Sequence, residues 1–292
     1  MSFFSLVAAL LLEQWRPLAD RRYLFSPVAR YATFLERQFN AGEAQQGATA
    51  WLLAVLPPVL GAWLVNAAAL YLTMGFRQRS HYFTDIHLAL KENDVARARE
   101  ILSEWRGVSC ANLDRETVTR LAIEEALVAS HRHVFAVVFW FLVLPGPAGA
   151  ILYRLAMFLE RRWSASAVPE LERFGHFARR AFAVLDWLPV RFTAAAFAVV
   201  GDFEDAVYCW RTQAATWPDP ALGIVLASGA GAIGVKLGMP IVEGGEVLDR
   251  PELGLGDPAD TAHLDSTVGL VWRALVMWLV LLALVALAGA AT

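Results

Sequence analysis

The chain has 292 residues, of which 57% are hydrophobic and only 18% charged, and its mean hydropathy is +0.45. One soluble core of this length needs less apolar surface, so the composition predicts an integral membrane protein. The formal net charge of -3 offers no basic surface for a phosphate backbone, which excludes nucleic acid as a partner. The two cysteines, Cys110 and Cys209, lie far apart outside any C-x-x-C pattern, so we predict no disulfide framework and no thiolate metal site.

The first part of the chain contains one short apolar segment and one full-length span. Residues 1–15 lack the basic flank and the cleavage site of a signal peptide, so we predict a retained, membrane-associated helix. Residues 51–76 are long enough to cross the hydrocarbon core, for which about 20 apolar residues are needed. Pro57 and Pro58 are expected to kink this span, which neighbouring helices can tolerate in lipid.

Residues 80–131 form the one segment with the character of soluble sequence. Apolar residues recur at helical spacing over 95–105 and again over 118–127, each time behind a capping residue. We therefore predict two amphipathic helices in an extramembrane insertion. Of the adjacent carboxylates on the second helix, Glu124 and Glu125, one should face solvent and the other the packed interior.

The next apolar block, residues 134–159, is interrupted in its middle by Pro145, Gly146 and Pro147. Such a break favours two short helices in a hairpin over one straight span. Arginines cluster after the span at 51–76 and again after this block, and the positive-inside rule places both clusters in the cytoplasm. A single crossing would put them on opposite sides, so the charge pattern also favours the hairpin.

Two further apolar blocks carry charges in their interior, and we predict that they lie against the membrane rather than cross it as simple spans. Residues 182–201 contain Asp186 and Arg191, and residues 221–242 contain Lys236. An acid and a base in an apolar run are costly to bury unless they are paired or face a cavity. A structural ion pair and a functional role are therefore equal alternatives for Asp186 and Arg191.

Residues 268–291 form the clearest transmembrane helix, because their only charge, Arg273, lies close enough to one end to reach the interface. Together the blocks predict an all-α, polytopic integral membrane protein. We expect a single membrane domain over residues 1–292, with the helical insertion at 80–131.

Two motifs resemble nucleotide or metal sites, and their surroundings favour structural roles. The sequence GAGAIG, residues 229–234, matches the G-x-G-x-x-G dinucleotide fingerprint, but no strand precedes it. Its small, apolar flanks favour close helix packing instead. The residues expected to provide this packing are Gly223, Ala227, Gly231, Gly234 and Gly238. His131 and His133, two apart on a helix, point in different directions, so we predict an interfacial polar cap and no metal site.

Six segments in order along the chain carry a family resemblance. They are SPVARYATFLERQFN, ALKENDVARAREILS, AIEEALV, VFWFLVLPGPAGAILYRLAMFLERRW, VLDWLPVRFTA and GAGAIGVKLGMPIVEGGEVLDRPELGLGDP. In this order they resemble the adenosylcobinamide-phosphate synthase family of cobalamin biosynthesis, the CobD/CbiB family. The last segment, with an R-P-x-L-G loop from Arg250 to Gly254, is the most specific.

The resemblance implies a membrane enzyme that joins aminopropanol, or its phosphate, to a side-chain carboxylate of a corrin ring in an amide bond, with ATP and magnesium as implied cofactors. It implies a corrinoid small molecule as the partner and the bacterial inner membrane as the location, with membrane lipid around the protein and a homo-oligomer left open. The catalytic candidates are Glu124, Glu160 and Arg191. The substrate-binding candidates are Asp186, Lys236, Gly234, Gly238 and Arg250.

Several polar positions of the family pattern hold apolar residues in this chain. Phe182 and Ala183 stand where the family has paired aspartates, and Val128 and Ala129 replace a glutamate and an asparagine. Magnesium prefers oxygen ligands, which these side chains lack, so we predict no metal site. The chain also resembles the AmpE-type membrane proteins over the middle of its length, so the alternative is a non-catalytic membrane regulator or a corrinoid-binding protein.

Overall fold

The computed structural model describes residues 22–39, 44–61, 76–144, 147–164, 169–243 and 246–291, and it shows a helical membrane protein. The α-helices of the described part are α1 (Arg22–Phe39), α2 (Ala44–Gly61), α3 (Phe76–Lys91), α4 (Val95–Arg106), α5 (Arg115–Ser130), α6 (Ala136–Val143), α7 (Ala148–Ser164), α8 (Pro169–Val200), α9 (Phe203–Gln213), α10 (Pro220–Ile233) and α11 (Thr261–Ala291). A π-helical turn (His131–Phe135) joins α5 to α6, and a 3-10 turn (Ala214–Thr216) follows α9. The strands are β1 (Leu237–Gly238), β2 (Ile241–Glu243), β3 (Glu246–Leu248) and β4 (Glu252–Leu253).

Three helical stretches of the described part are long and apolar enough to cross a membrane. They are Arg115–Val143, Phe174–Val200 and Thr261–Val285. The first is a continuous stretch of α5, the π-helical turn and α6, the second belongs to α8, and the third to α11. The helical architecture confirms the prediction of an all-α membrane protein, and the third stretch agrees in length and composition with the C-terminal helix predicted to span the membrane.

The Pro-Gly-Pro break behaves as predicted, because α6 ends at Val143 and α7 begins at Ala148. The start of this block was expected near residue 134. In the structure, the helical stretch that contains α6 already begins at Arg115. Almost every side chain of α5 beyond its first turn is buried, so no solvated face separates an extramembrane helix from an apolar one.

The block at 182–201 was expected to lie against the membrane rather than cross it, and in the structure it belongs to a helix that is long enough to cross. It is part of α8, a helix of 32 residues that includes Pro189, and the stretch Phe174–Val200 is long and apolar enough to span. Asp186 does not interrupt this helix, because it is buried and accepts a hydrogen bond from the Tyr153 hydroxyl at 2.8 Å.

Two predictions fall wholly or partly on residues that the structure does not describe. The helix expected at 1–15 lies outside the described residues, as does the part of the predicted span 51–76 that follows Gly61. Within the described part, α2 contains both Pro57 and Pro58.

The chain divides into two compact units. The first consists of Met1–Gly75 and Ala136–Pro189, and the second of Phe76–Phe135 and Val190–Thr292. In the first unit, buried side chains of α1, α2, α7 and the start of α8 form one core. Trp163 and Phe174 meet edge to face in this core, with ring centroids 4.9 Å apart, which is a favourable geometry for an aromatic pair.

In the second unit, small residues let α10 approach its neighbours closely. A Cβ atom on Gly231 would lie 2.5 Å from the carbonyl oxygen of Asp205 on α9, and one on Gly223 would lie 2.2 Å from that of Ala214. Close packing through these two glycines is therefore confirmed. The same expectation was wrong for Gly234, which ends α10 in a left-handed conformation at φ +70°.

After α10 the chain forms two small antiparallel pairs, β1 with β4 and β2 with β3. In the first pair Leu237 lies opposite Leu253 and Gly238 opposite Glu252. Gly238, the other glycine expected in helix packing, thus lies in a strand. Because Glu252 pairs with Gly238, this pairing also brings Arg250, two residues earlier, close to Gly238.

Candidate functional site

The site begins with a buried carboxylate on α5. This helix starts behind Asp114, whose side chain accepts a hydrogen bond from the Thr117 amide and so satisfies one free N–H of the first turn. Two turns further on, Glu124 is 6% exposed, whereas the side chain of Glu125 keeps 33% of its surface in contact with solvent. The predicted division of the two carboxylates is confirmed.

Both oxygens of Glu124 are held by groups of the segment that follows α10. Oε1 accepts a hydrogen bond from the Gly238 amide at 2.9 Å, and Oε2 accepts one from Nη1 of Arg250 at 2.7 Å. Nη2 of Arg250 lies 3.4 Å from Oε1, so the guanidinium contacts both oxygens. Charge-assisted bonds of this two-pronged kind are stronger than neutral ones and fix geometry as well as distance.

The remaining donors of Arg250 bind the backbone of the same segment. Nε donates to the Met239 carbonyl at 3.2 Å, and Nη2 donates to the Gly238 carbonyl at 3.1 Å. The guanidinium also lies over the ring of Trp217, 5.3 Å from the ring centroid, in a cation–π contact. We call Glu124, Arg250, Gly238, Met239 and Trp217 the carboxylate clamp.

Gly238 has a conformation that the clamp requires. Its φ is +79°, and a Cβ atom at this position would lie 2.0 Å from the carbonyl oxygen of Pro251. Glycine adopts a positive φ without steric cost, and it lets the two backbones pair at close range. Met239 also has a positive φ, +65°, which is uncommon for a residue with a side chain.

A second guanidinium reaches the clamp from α5. Arg120 lies one turn before Glu124, is 4% exposed, and donates from Nη1 to the Met239 sulfur at 3.0 Å. Arg120 and Arg250 therefore both contact Met239, one at the side chain and one at the carbonyl. Our sequence prediction missed Arg120, although its i, i+4 spacing to Glu124 puts both charges on one helix face.

Beside the clamp, Arg106 links α4 to β2. Its Nη2 lies 3.1 Å from Oε2 of Glu243, and its Nε lies 3.5 Å from Oε1 of Glu125. Burial acts to lower the pKa of Arg106, but Glu243, Cys110 and Glu125 outweigh it and raise the pKa above its usual value. The ion pair of Arg106 with Glu243 holds the β2–β3 hairpin against α4.

The structure brings together Glu124, Gly238 and Arg250 among the predicted site residues. Lys236 instead forms a surface ion pair with Glu252 at 3.1 Å, in which both side chains are more than a third exposed.

The other candidates are not members of the clamp. Gly234 caps α10, Arg191 lies on α8 in the second unit, and Asp186 and Glu160 belong to the first unit. His131, expected in an interfacial cap, is fully buried, with Nδ1 2.9 Å from the Thr193 hydroxyl. That expectation was wrong for His131, because the polar ring finds a partner inside the unit.

The chemistry of the clamp favours an anion over a metal ion. Glu124 already accepts from an amide and a guanidinium, and two arginines adjoin it, so a divalent cation would meet positive charge there. In the described residues, no group of three or more His, Cys, Asp or Glu side chains is placed to hold a metal ion. The residues present therefore do not fit the magnesium that the family resemblance implies, and we assign no chemical step to it.

Comparison with known proteins places this geometry in a family context. The chain matches the family model described as CobD/Cbib protein over residues 6–271. It is 36% identical over 294 residues to the cobalamin biosynthesis protein CobD of Stutzerimonas stutzeri, with 96% of each chain covered. It is 38% identical over 246 residues to the protein of the same name from Chromobacterium violaceum, with 80% of this chain and 77% of the relative covered. No solved structure matches the chain at a significant level.

Proposed function

The chain belongs to the CobD/Cbib family, and from this premise we propose that it is a cobalamin biosynthesis protein that joins aminopropanol, or its phosphate, to a side-chain carboxylate of a corrinoid. The observation that carries the proposal is the extent of the match, since residues 6–271 include both halves of the carboxylate clamp. The clamp is the place where three of the residues suggested by the family resemblance meet.

The proposed reaction forms a C–N bond between the amine nitrogen and the corrinoid carboxyl carbon; one carboxyl oxygen leaves in the phosphate released from a nucleoside triphosphate, and the ammonium loses two protons. Its reactants are a carboxylate and, where the amine is phosphorylated, a second anion, so they repel each other as they approach. Fixed positive charge that is already oriented before the reaction lowers this electrostatic cost. Arg250 is held in place by Glu124 and Trp217, and together with Arg120 it outnumbers the single carboxylate of Glu124, so the site keeps a net positive charge.

In this proposal Glu124 positions other groups and is not a general base. The carboxylate of Glu124 is held by Gly238 and Arg250, and these contacts fix it in place as a positioning group. Its role is to orient Arg250 and to hold the glycine-rich segment on α5. Glu160 and Arg191, the other catalytic candidates, stay predictions.

We further propose that the protein is a multi-pass protein of the bacterial inner membrane. The three apolar stretches support more than one crossing, and arginines that follow the apolar blocks support a cytoplasmic location for the loops that carry them. Sucrose-gradient fractionation should recover the protein in the inner-membrane fraction after a carbonate wash. Recovery in the soluble fraction would contradict the proposal.

A second candidate function is a corrinoid-binding or regulatory relative without amide-forming activity. The observation in its favour is that Val128 and Ala129, one turn after the clamp glutamate on α5, have no oxygen ligands in their side chains where the family pattern has a glutamate and an asparagine. Such a protein would keep the anion-binding clamp and would form no amide.

A genetic experiment separates the two candidates. The gene is expressed in a strain that lacks its own adenosylcobinamide-phosphate synthase and must make cobalamin from cobyric acid in order to grow. An amide-forming enzyme restores growth, and the Arg250→Met variant restores it poorly. A regulator or a carrier does not restore growth even when immunoblotting shows normal amounts of protein in the membrane.

A further inference from the structure

We propose that Arg120 is the residue that recognises the substrate's oxyanion, a carboxylate or a phosphate, beside the carboxylate clamp. This inference rests on the proposed function and adds to it the group that reads the substrate's negative charge. None of the residues suggested by the sequence covers this role, since Arg250 is already occupied by Glu124 and by two backbone carbonyls.

Arg120 is a buried cation whose hydrogen-bonding capacity is largely unused. It is 4% exposed, and its Nε atom has no hydrogen-bond partner within the part of the chain that the structure describes. The guanidinium forms one hydrogen bond there, to the thioether of Met239 at 3.0 Å, and a thioether is a weak acceptor. Burial of a charge is costly unless the charge is paired and hydrogen-bonded, so the arrangement calls for an anion.

The neighbouring acids do not provide that anion. Glu124, one turn along α5, acts on Arg120 more strongly than the other acids do, but its hydrogen bonds go to Arg250 and Gly238. Asp114 and Glu116 act on Arg120 from the start of the helix, where both residues are exposed. Among the described residues, none of the three acids lies within 4.0 Å of the Arg120 guanidinium as an ion pair.

Arg120 and the clamp together carry one net positive charge. Arg120 and Arg250 contribute two cations and Glu124 one anion, and both cations meet at Met239. A planar guanidinium presents paired N–H groups that match a carboxylate or a phosphate, which a lysine ammonium does not. An incoming oxyanion would replace the Met239 sulfur as the acceptor of the Nη1 hydrogen bond.

The test is equilibrium binding to the purified full-length protein in detergent, with four probes. They are aminopropanol phosphate, aminopropanol, cobyric acid, and the corrinoid amide in which the reacting carboxylate is already blocked. The variants are Arg120→Met, Arg120→Lys and, as a matched control on the same continuous helix, Arg132→Met. Arg132 also has a buried Nε without a partner in the described residues, but it lies 3.9 Å from Asp219.

We expect Arg120→Met to weaken binding of one anionic probe by about 30-fold or more, the amount that a hydrogen-bonded charge contributes, and to leave binding of the counterpart that lacks the anionic group unaffected. Loss confined to aminopropanol phosphate identifies a phosphate site, and loss confined to cobyric acid identifies a carboxylate site. Arg120→Lys, which keeps the charge and the fold, should recover part of the affinity. Arg132→Met should bind all four probes as the wild type does.

A structural role for Arg120 would give a different pattern. An equal loss for the anionic probe and for the counterpart that lacks the anionic group, an unchanged affinity in Arg120→Met, or no binding of either anion by the wild type would each overturn the inference. Selective binding through Arg120 without amide formation would support the inference and contradict the amide-forming function. The two proposals can thus fail separately.

Discussion

Glu124 and Arg250 are 126 residues apart in the sequence and form a buried pair at 2.7 Å, with side chains 8% and 13% exposed. Removal of one partner leaves the other charged and buried, which costs about 3 kcal/mol. We therefore predict that Glu124→Gln and Arg250→Met are each strongly destabilising and that the double variant is less unstable than the sum of the two. The expected coupling is about 2 kcal/mol, measured by unfolding in mixed SDS micelles as a double-mutant cycle.

The exposed pair of Lys236 and Glu252 provides the matched control for this cycle. Both side chains are more than a third exposed, so their coupling should stay below about 1 kcal/mol. Additive effects of Glu124→Gln and Arg250→Met would contradict the description of the clamp as one unit.

Gly238 gives a second prediction at the scale of a single residue. Alanine at this position meets both an unfavourable φ and the Pro251 carbonyl, and the crowding adds about 1–3 kcal/mol to the strain. Gly107 has a similar φ of +73°, but a Cβ atom there would have no neighbour within 4 Å, so Gly107→Ala carries the strain alone. Thermal unfolding in detergent should show a clearly larger loss for Gly238→Ala; equal losses would show that the close approach is unimportant.

The residues of the clamp were only partly predictable. Glu124, Gly238 and Arg250 followed from the family resemblance, while Arg120 did not, because an arginine on a helix with exposed polar residues is ordinarily a surface residue. Its burial depends on Met239, more than a hundred residues away, and local spacing carries no information about such a contact. Lys236 was predicted to bind substrate, and its surface ion pair with Glu252 likewise depends on a contact that local spacing does not show.

At the scale of elements, the junction of α3 and α11 contains a histidine whose charge is opposed by burial. Desolvation lowers the pKa of His87 below its usual 6.5; the nearby Asp265 acts against this shift, and Lys91 acts with it. Nε2 of His87 lies 3.5 Å from Oδ1 of Asp265. The imidazole is thus held neutral in the folded protein near pH 7.

This pKa shift has a defined consequence for stability. Between pH 6.5 and the lower pKa of the folded state, the unfolded chain binds more protons at His87 than the folded protein does. The contribution of His87 to the free energy of unfolding is therefore fully present above pH 6.5 and is lost as the pH falls through this window. We predict a decrease in unfolding temperature in this window for the wild type and a flatter profile for His87→Gln. An identical profile in both proteins would assign the pH dependence to other groups.

The elements were predictable where the sequence has either a strong period or a strong break. The Pro-Gly-Pro break between α6 and α7 and the glycine packing of α10 followed directly. The continuity of the helix through His131 did not, because a polar run before an apolar block is typical of a helix end. Thr193 satisfies that histidine inside the unit. Strands of two or three residues, such as β1 and β4, are too short to show an alternating pattern.

At the scale of the whole molecule, composition and apolar length were enough to predict a helical membrane protein. The family match over residues 6–271 agrees with the resemblance found in the glycine-rich tail. That tail, which is unusual for so apolar a chain, is explained by the clamp: its glycine, methionine and arginine bind α5 through a buried carboxylate. The polar segment thus forms one half of the clamp, and its Met239 contacts the Arg120 guanidinium.

We propose that this chain forms an amide between a corrinoid carboxylate and an amine. The most direct measurement incubates the purified protein with cobyric acid, aminopropanol phosphate, ATP and magnesium, and detects the corrinoid product by mass spectrometry. The comparison is Arg250→Met, assayed at an equal amount of folded protein because this variant is expected to be less stable. Our account predicts a product whose mass equals that of the two substrates less one water, formed at a much lower rate by the variant. Tight binding of cobyric acid without any such product would contradict it and would favour the non-catalytic, corrinoid-binding relative.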